Sequence, residues 1–145
     1  MFNSILLATD GSDLSRRTIH EAIHLAKSTG AKIIGLAVAV DSRPYLVNDL
    51  LISNDEIQPL SEILKESERH VKEIGDLAKA SDVAVEVNVV MGYTPAEEIL
   101  KMAEAKGCDL IFMGSHGRHG IDKIFLGSEA QKVLKNSKIP VLIFK

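Results

Sequence analysis

The chain has 145 residues, of which 46% are hydrophobic, and its 17 lysine and arginine residues against 20 aspartate and glutamate residues give a formal net charge of −3. A chain of this length can bury a core without metal or disulfide staples, so we expect a single domain over residues 1–145. The mildly acidic balance argues against the basic surface of a nucleic-acid binder.

Three features predict a soluble cytoplasmic protein with no membrane insertion. Cys108 is the only cysteine, so no internal disulfide can form, which fits a reducing compartment. The opening MFNSILLATDGSD lacks the positively charged region and the long apolar run of a signal peptide. No apolar run approaches the ~20 residues that cross a bilayer.

Short apolar runs alternate with segments of helical periodicity. The apolar runs predict five strands: Ile5–Ala8, Ile33–Val40, Val83–Val90, Leu110–Met113 and Val141–Phe144. Four of these runs are mostly aliphatic, as in parallel strands that are covered on both faces. The third, VAVEVNVV, alternates more and indicates an edge strand with one wetter face.

Four helices are predicted between the strands. The first runs from about Asp13 to Thr29 and ends at Gly30, a favourable C-cap, and the second runs from about Ile57 to Ala80. This alternation of strands and helices predicts an α/β fold, a Rossmann-like open parallel five-stranded sheet with helices on both faces.

Capping boxes mark the starts of the other two helices. The third helix opens TPAEE, where Thr94 and Glu97 make the box, and the fourth opens SEAQ, where Ser128 and Gln131 repeat it.

Ligands of such sheets bind beyond the carboxyl ends of the strands, where the strand order reverses. Two loops fit this place: TDGSD after the first strand and GSHGRHGIDKIFLGS, Gly114–Ser128, after the fourth. The connection Asp41–Asp55 is long enough to lie over the same crevice.

Four of the fifteen residues in the second loop are glycine. A strand that runs into glycines and then into a helix N-terminus has anion-binding geometry, because backbone N–H groups and the helix dipole point at the ligand. Neither a Walker A ending nor GxGxxG is present. The spacing is instead G-x2-G-x9-G-S, from Gly114 through Gly117 and Gly127 to Ser128.

This spacing resembles the ATP-binding signature of the universal stress protein family. The segments ILLATDGSD, DLIFMGSHG and IPVLIFK also occur in family order, so the resemblance covers essentially the full chain. It implies a sheet order of 3-2-1-4-5 and a binding site for ATP, which Mg²⁺ usually accompanies. The implied site residues are Thr9, Asp10, Val38 and Met113 around the adenosine, and Gly114, Gly117, Gly127 and Ser128 around the phosphates.

Each of these residues also has a purely structural interpretation. Ser128 could be an N-cap and nothing more, and Asp10 could be a simple turn residue before Gly11. The glycines could form a flexible loop without binding a ligand. The position of Asp10 at a strand end and the spacing of the glycines favour the ligand roles.

Three other motifs are weaker. HEAIH matches a zinc-protease motif, but His20 and His24 fall on the polar face of the first helix with no evident third ligand, so we expect no metal there. His116 and His119 are interpreted as exposed loop residues. TDGSDLS resembles a pyrophosphatase loop only weakly, since Asp10 would repel pyrophosphate.

The resemblance implies a cytoplasmic ATP-binding sensor or adaptor in the stress response, with an unknown protein partner. No residue stands out as a general base or an activated nucleophile, although slow ATP hydrolysis or self-phosphorylation is compatible with the family. Two alternatives stay open: a nucleotide-free dimeric interaction module, and an ATP-consuming enzyme whose partner subunit supplies catalytic groups.

We also expect a homodimer through the last strand. Val141–Phe144 is apolar and carries no charge before Lys145, so it lacks the usual protection of an edge strand. Pro140 removes a backbone donor only at its beginning. The resemblance points to the same mode of dimerisation.

Overall fold

A computed structural model describes residues 1–41, 58–117 and 126–145. Within these ranges the chain forms five strands and four helices. In chain order they are β1 (Ser4–Thr9), α1 (Asp13–Thr29), β2 (Lys32–Val40), α2 (Leu60–Ala80), β3 (Val85–Gly92), α3 (Pro95–Ala105), β4 (Leu110–Gly114), α4 (Ser128–Asn136) and β5 (Val141–Phe144).

All neighbouring strands are parallel, and their order is β3-β2-β1-β4-β5. This confirms the fold class and the sheet order, and it confirms that β3 and β5 are the two edges. Side chains alternate between two cores on opposite faces of the sheet. Ile5 and Leu7 pack with α1 and α2 on one face, whereas Leu6 and Ile111 pack with α3 and α4 on the other.

The first helix has its predicted bounds for the predicted reason. Gly30 adopts φ +75°, a conformation that side chains disfavour, and its N–H donates to Ala26 O. The start of the second helix at Ile57 lies outside the described residues, and α2 is helical from Leu60, after Pro59.

The third strand begins two residues later than predicted. Asp82 adopts φ +57° and Val83 N donates to Ala78 O at 2.9 Å, so this buried valine closes the end of α2 instead of opening the strand. β3 then continues to Gly92, beyond the predicted end at Val90.

Both predicted capping boxes are wrong. The side chain of Thr94 makes no capping hydrogen bond, and Ala96 N donates instead to Glu129 Oε2 of α4 at 2.8 Å. Ser128 is the first residue of α4 rather than its cap, and Gln131 Nε2 donates to Leu126 O at 2.6 Å. At the start of α3 the acceptor comes from outside the local motif, whereas at α4 the Gln131 side chain donates to a loop carbonyl.

Candidate functional site

The strand order reverses between β1 and β4. β1 leads into α1 on one face of the sheet, whereas the glycine-rich segment after β4 leads to α4 on the other face. The loops after these two adjacent strands therefore separate toward opposite faces. Such a separation opens a crevice beyond the carboxyl ends of the strands, which is where parallel sheets bind ligands.

Side-chain hydrogen bonds hold the corner between β1 and α1. Thr9 Oγ1 accepts from Gly11 N at 3.2 Å and from Ser15 Oγ at 3.0 Å. Asp10 N donates to Ser15 Oγ at 3.2 Å, and Asp10 Oδ1 accepts from Ser12 N at 3.0 Å. The hydroxyl of Ser12 caps α1 by accepting from Ser15 N at 3.2 Å. This network fixes the backbone that presents the Asp10 carboxylate.

The loop after β4 is closed on itself and tied to β5. Ser115 N donates to Phe144 O at 2.8 Å, and Gly127 N donates to Ser115 O at 2.7 Å. Ser115 Oγ lies 2.9 Å from His116 Nδ1. A Cβ at Gly127 would lie 3.1 Å from His116 Cα, so glycine is what lets the end of the signature approach its beginning.

The two loops meet at Asp10 and Gly117. A Cβ on Gly117 would lie 2.5 Å from Asp10 Oδ2, closer than real side chains approach. Gly114 is also tight, since its Cβ would lie 3.3 Å from Leu14 Cδ2 of α1. Because Gly117 has no side chain, the Asp10 carboxylate can lie directly against the backbone of the glycine-rich loop.

Comparison with known proteins gives the lineage. A family model described as the universal stress protein family matches residues 1–145. The chain belongs to the universal stress protein family. It is 36% identical over 146 residues to universal stress protein MJ0531 of Methanocaldococcus jannaschii, covering 100% of this chain and 83% of that protein.

Two solved structures show the same fold at moderate identity. The structure of MJ0577, also from Methanocaldococcus jannaschii, superposes with a TM-score of 0.82 at 29% identity, covering 100% of this chain and 96% of that one. A crystal structure of a universal stress protein in complex with cAMP superposes with a TM-score of 0.71 at 26% identity, covering 99% and 97%.

In this universal stress protein the predicted site residues fall into three groups. Asp10 lies against Gly117 where the two loops meet, and Gly127 closes the loop that Gly114 opens. Val38 and Met113 lie in the apolar core on the α3 and α4 face, together with Ala8. The other two are Thr9, whose side chain is buried inside the β1 corner, and Ser128, which begins α4.

Two buried polar residues at this end of the sheet were missed. His70 of α2 packs its ring onto Gly11, where an added Cβ would lie within 2.5 Å of three ring atoms, and Gly11 has φ +75°. Asp41 follows β2 and is 6% exposed. His70 shares helical spacing with buried Ser67 and Ile74, a signal that places it inside but does not name its neighbour.

The remaining motifs have separate outcomes. His116, predicted to be exposed, is partly buried, and its Nδ1 lies 2.9 Å from Ser115 Oγ in the glycine-rich loop. His20 and His24 lie on the exposed face of α1, as the helical pattern predicts. Across residues 1–41, 58–117 and 126–145, no group of three His, Cys, Asp or Glu side chains is arranged to hold a metal ion. His119 and most of Asp41–Asp55 lie outside the described ranges. None of the described helices is long and apolar enough to span a membrane.

Proposed function

We propose that this universal stress protein binds an adenine nucleotide, ATP with Mg²⁺, in the crevice and acts as a nucleotide-dependent sensor or adaptor in the cytoplasm. The approach of Asp10 to Gly117 carries the proposal, because it joins the loop after β1 to the glycine-rich loop at the point where the strand order reverses. The cAMP complex of a relative supports the adenine nucleotide class. We take residues 1–145 as one domain.

The residues present fit a nucleotide. The side chain of Asp10 can accept hydrogen bonds from ribose hydroxyls or the adenine amine. Because a carboxylate repels phosphate, it must turn from Gly117 toward the nucleoside when phosphates occupy the glycine-rich loop. The backbone from Gly114 to Gly117 and the start of α4 at Ser128 suit the phosphates, because close backbone approach and the positive end of the helix dipole both favour anions. Val38 and Met113 supply an apolar side for the base.

Gly117→Ala tests the phosphate side of the site. Its Cβ would push on the flexible end of the Asp10 side chain, so the fold should survive while the crevice narrows. We expect the affinity for Mg-ATP to fall at least tenfold, ~1.4 kcal/mol. Gly75→Ala is the matched control, since its Cβ would meet only Val87 at an ordinary 3.5 Å. Calorimetric titration of both variants decides, and equal affinities would remove the loop from the site.

Asp10→Ala tests the other end of the ligand. We expect ATP, ADP and adenosine to lose similar affinity, roughly 1–2 kcal/mol each, because the lost hydrogen bonds belong to the nucleoside they share. A loss confined to ATP would place Asp10 at the phosphates instead. A wild-type protein that binds none of the three ligands would favour the nucleotide-free interaction module.

We also propose a homodimer through β5, as the sequence predicts. Ile111 N donates to Pro140 O and Ser115 N to Phe144 O, so the backbone groups of Val141 and Ile143 point away from β4. Ile143→Pro therefore removes an outward donor while keeping the β4 ladder. At low micromolar concentration, light scattering should change from twice the 15.8 kDa chain mass toward one chain mass. A wild-type protein that is monomeric at high micromolar concentration would contradict the proposal.

A further inference from the structure

β3 is the longer of the two sheet edges, with eight residues against four in β5. Its sequence VEVNVVMG contains no proline or lysine, and its pairing with β2 runs without a bulge from Ile33↔Val85 to Val40↔Gly92. Its single charge, Glu86, is paired with Lys106. Among the described residues, the β3 edge therefore lacks the features that usually prevent strand pairing.

The backbone groups of β3 that face away from β2 alternate in a fixed pattern. Ile33 N donates to Ala84 O and Asp41 N donates to Gly92 O, so the even-numbered residues of β3 face β2. The N–H and C=O groups of the odd-numbered residues consequently point outward. They belong to Val85, Val87, Val89 and Met91. Two of the outward-facing residues have exposed apolar side chains, Val87 at 42% and Met91 at 46%.

α2 lies above this edge and leaves a groove of about 380 Å³ beside it. The floor of the groove is apolar, and its lining residues are Val71, Gly75, Val87 and Val89. The rim is a row of charges along α2 in the order negative, positive, negative, positive: Glu68, Lys72, Asp76 and Lys79.

This row of charges is complementary to itself when reversed. A two-fold axis perpendicular to the sheet would place Glu68 opposite Lys79 of a second copy and Lys72 opposite Asp76. The same axis passes near the middle of both α2 and β3. Gly75 lies near the middle of the row of charges, Val87 lies next to the middle of β3, and the Cβ position of Gly75 is 3.5 Å from Val87. One rotation therefore satisfies both elements.

We propose that a second copy of this chain docks on the β3 edge, with the two β3 strands antiparallel about Asn88. Val87 then lies opposite Val89 of the second copy and Val85 opposite its Met91, and about eight backbone hydrogen bonds form. α2 packs on both β2 and β3. With strands ~4.8 Å apart, the two α2 helices lie roughly 10 Å apart, the spacing of packed helices, with Gly75 between them.

This interface depends neither on nucleotide nor on β5. If both edges pair, the two axes lie in one sheet and the assembly extends as an open chain instead of closing. Blocking each edge separately therefore distinguishes them, and the Ile143→Pro protein isolates the β3 interface.

The test measures mass by sedimentation from micromolar to near-millimolar concentration. Ile143→Pro, a monomer at low micromolar concentration, should reach twice the 15.8 kDa chain mass toward the upper end of this range, and adding Val87→Lys should return it to one chain mass. An Ile143→Pro protein that is folded by circular dichroism and monomeric throughout would overturn the proposal and leave the edge for another partner.

A charge swap avoids any change in the core. The side chains of Lys72 and Asp76 are 72% and 59% exposed and pair with each other within α2, so each substitution should change the stability of the chain only slightly, and circular dichroism checks that both variants fold. In Lys72→Glu the new carboxylate of each copy lies opposite Asp76 of the other copy, so like charges meet at two places. This variant should weaken the β3 dimer at least about fivefold, whereas Lys72→Glu with Asp76→Lys should restore it. In the wild-type background, assemblies larger than two chains should decrease in Lys72→Glu. They should return when Asp76→Lys is added. If neither variant changed the stability of the dimer, the two copies would be in contact through a different surface.

Discussion

The contact between Gly11 and His70 gives the sharpest quantitative prediction. In Gly11→Ala the new methyl group meets two separate costs. The backbone is at φ +75°, and forcing an alanine into this left-handed region costs about 1–2 kcal/mol. The methyl would also lie within 2.5 Å of three ring atoms of His70, whose side chain is buried, and overpacking of this kind costs about 1–3 kcal/mol. We expect a total loss of roughly 2–5 kcal/mol in the free energy of unfolding.

Another glycine of this chain separates the two costs. Gly30 has the same φ, +75°, and nothing lies within 4 Å of its Cβ position. Gly30→Ala should therefore pay only the backbone cost, about 1–2 kcal/mol. The difference between the two variants measures the ring contact. Combining Gly11→Ala with His70→Ala removes the ring, so the double variant should be about 1–3 kcal/mol more stable than the sum of the single effects predicts.

Urea unfolding followed by circular dichroism measures all four variants, with unchanged m-values as the sign that only stability has moved. Strict additivity of Gly11→Ala and His70→Ala would mean that the ring does not press on the β1 corner. An equal loss in Gly11→Ala and Gly30→Ala would lead to the same conclusion.

Two further predictions concern carboxylates that accept hydrogen bonds at the ends of elements. Burial by itself raises the pKa of Asp109, but hydrogen bonds from Ser4 N, Asn3 N and Asn3 Nδ2 outweigh it and hold the pKa below its usual range. This stabilisation is present above the unfolded-state pKa and is lost as pH falls through the lower folded value. Asp109→Ala should therefore lower the free energy of unfolding by roughly 1–2 kcal/mol at neutral pH. In acid, its urea midpoint should converge with that of the wild type. A difference between the two midpoints that did not change with pH would contradict this. Glu129→Ala should lose about 1 kcal/mol in the same assay, because Ala96 N at the start of α3 loses its acceptor, and Glu129→Gln should recover part of that loss.

The strands and the first helix could be predicted because their signals are local. Parallel strands buried on both faces appear as aliphatic runs such as ILLA, and Gly30 ends α1 because a positive φ suits glycine. The capping box of α3 failed because its signal, although local, had a tertiary competitor. Nothing near Thr94 indicates that Glu129, 33 residues further along the chain, supplies the acceptor for the first turn of α3.

The candidate site was predictable in part for the same reason. The glycine spacing indicates a loop that needs close backbone approach, and the structure gives this requirement a physical cause at Gly127, where the loop closes on Ser115. Helical periodicity places His70 inside. It cannot show that the ring meets Gly11, because this depends on how α2 lies across the strand ends.

The crevice lies between the two helical layers that pack on opposite faces of the sheet. Its β1 side belongs to the α1 and α2 face, where His70 packs on Gly11. Its glycine-rich side belongs to the α3 and α4 face, where Glu129 connects the two helices. These layers meet above the sheet where Asp10 lies against Gly117, so a ligand that contacts both loops is sensitive to small displacements of one layer against the other. If that ligand favours one arrangement of the two layers, then by reciprocity a partner that favours the same arrangement must raise the affinity for the ligand, which is what the proposed sensor requires.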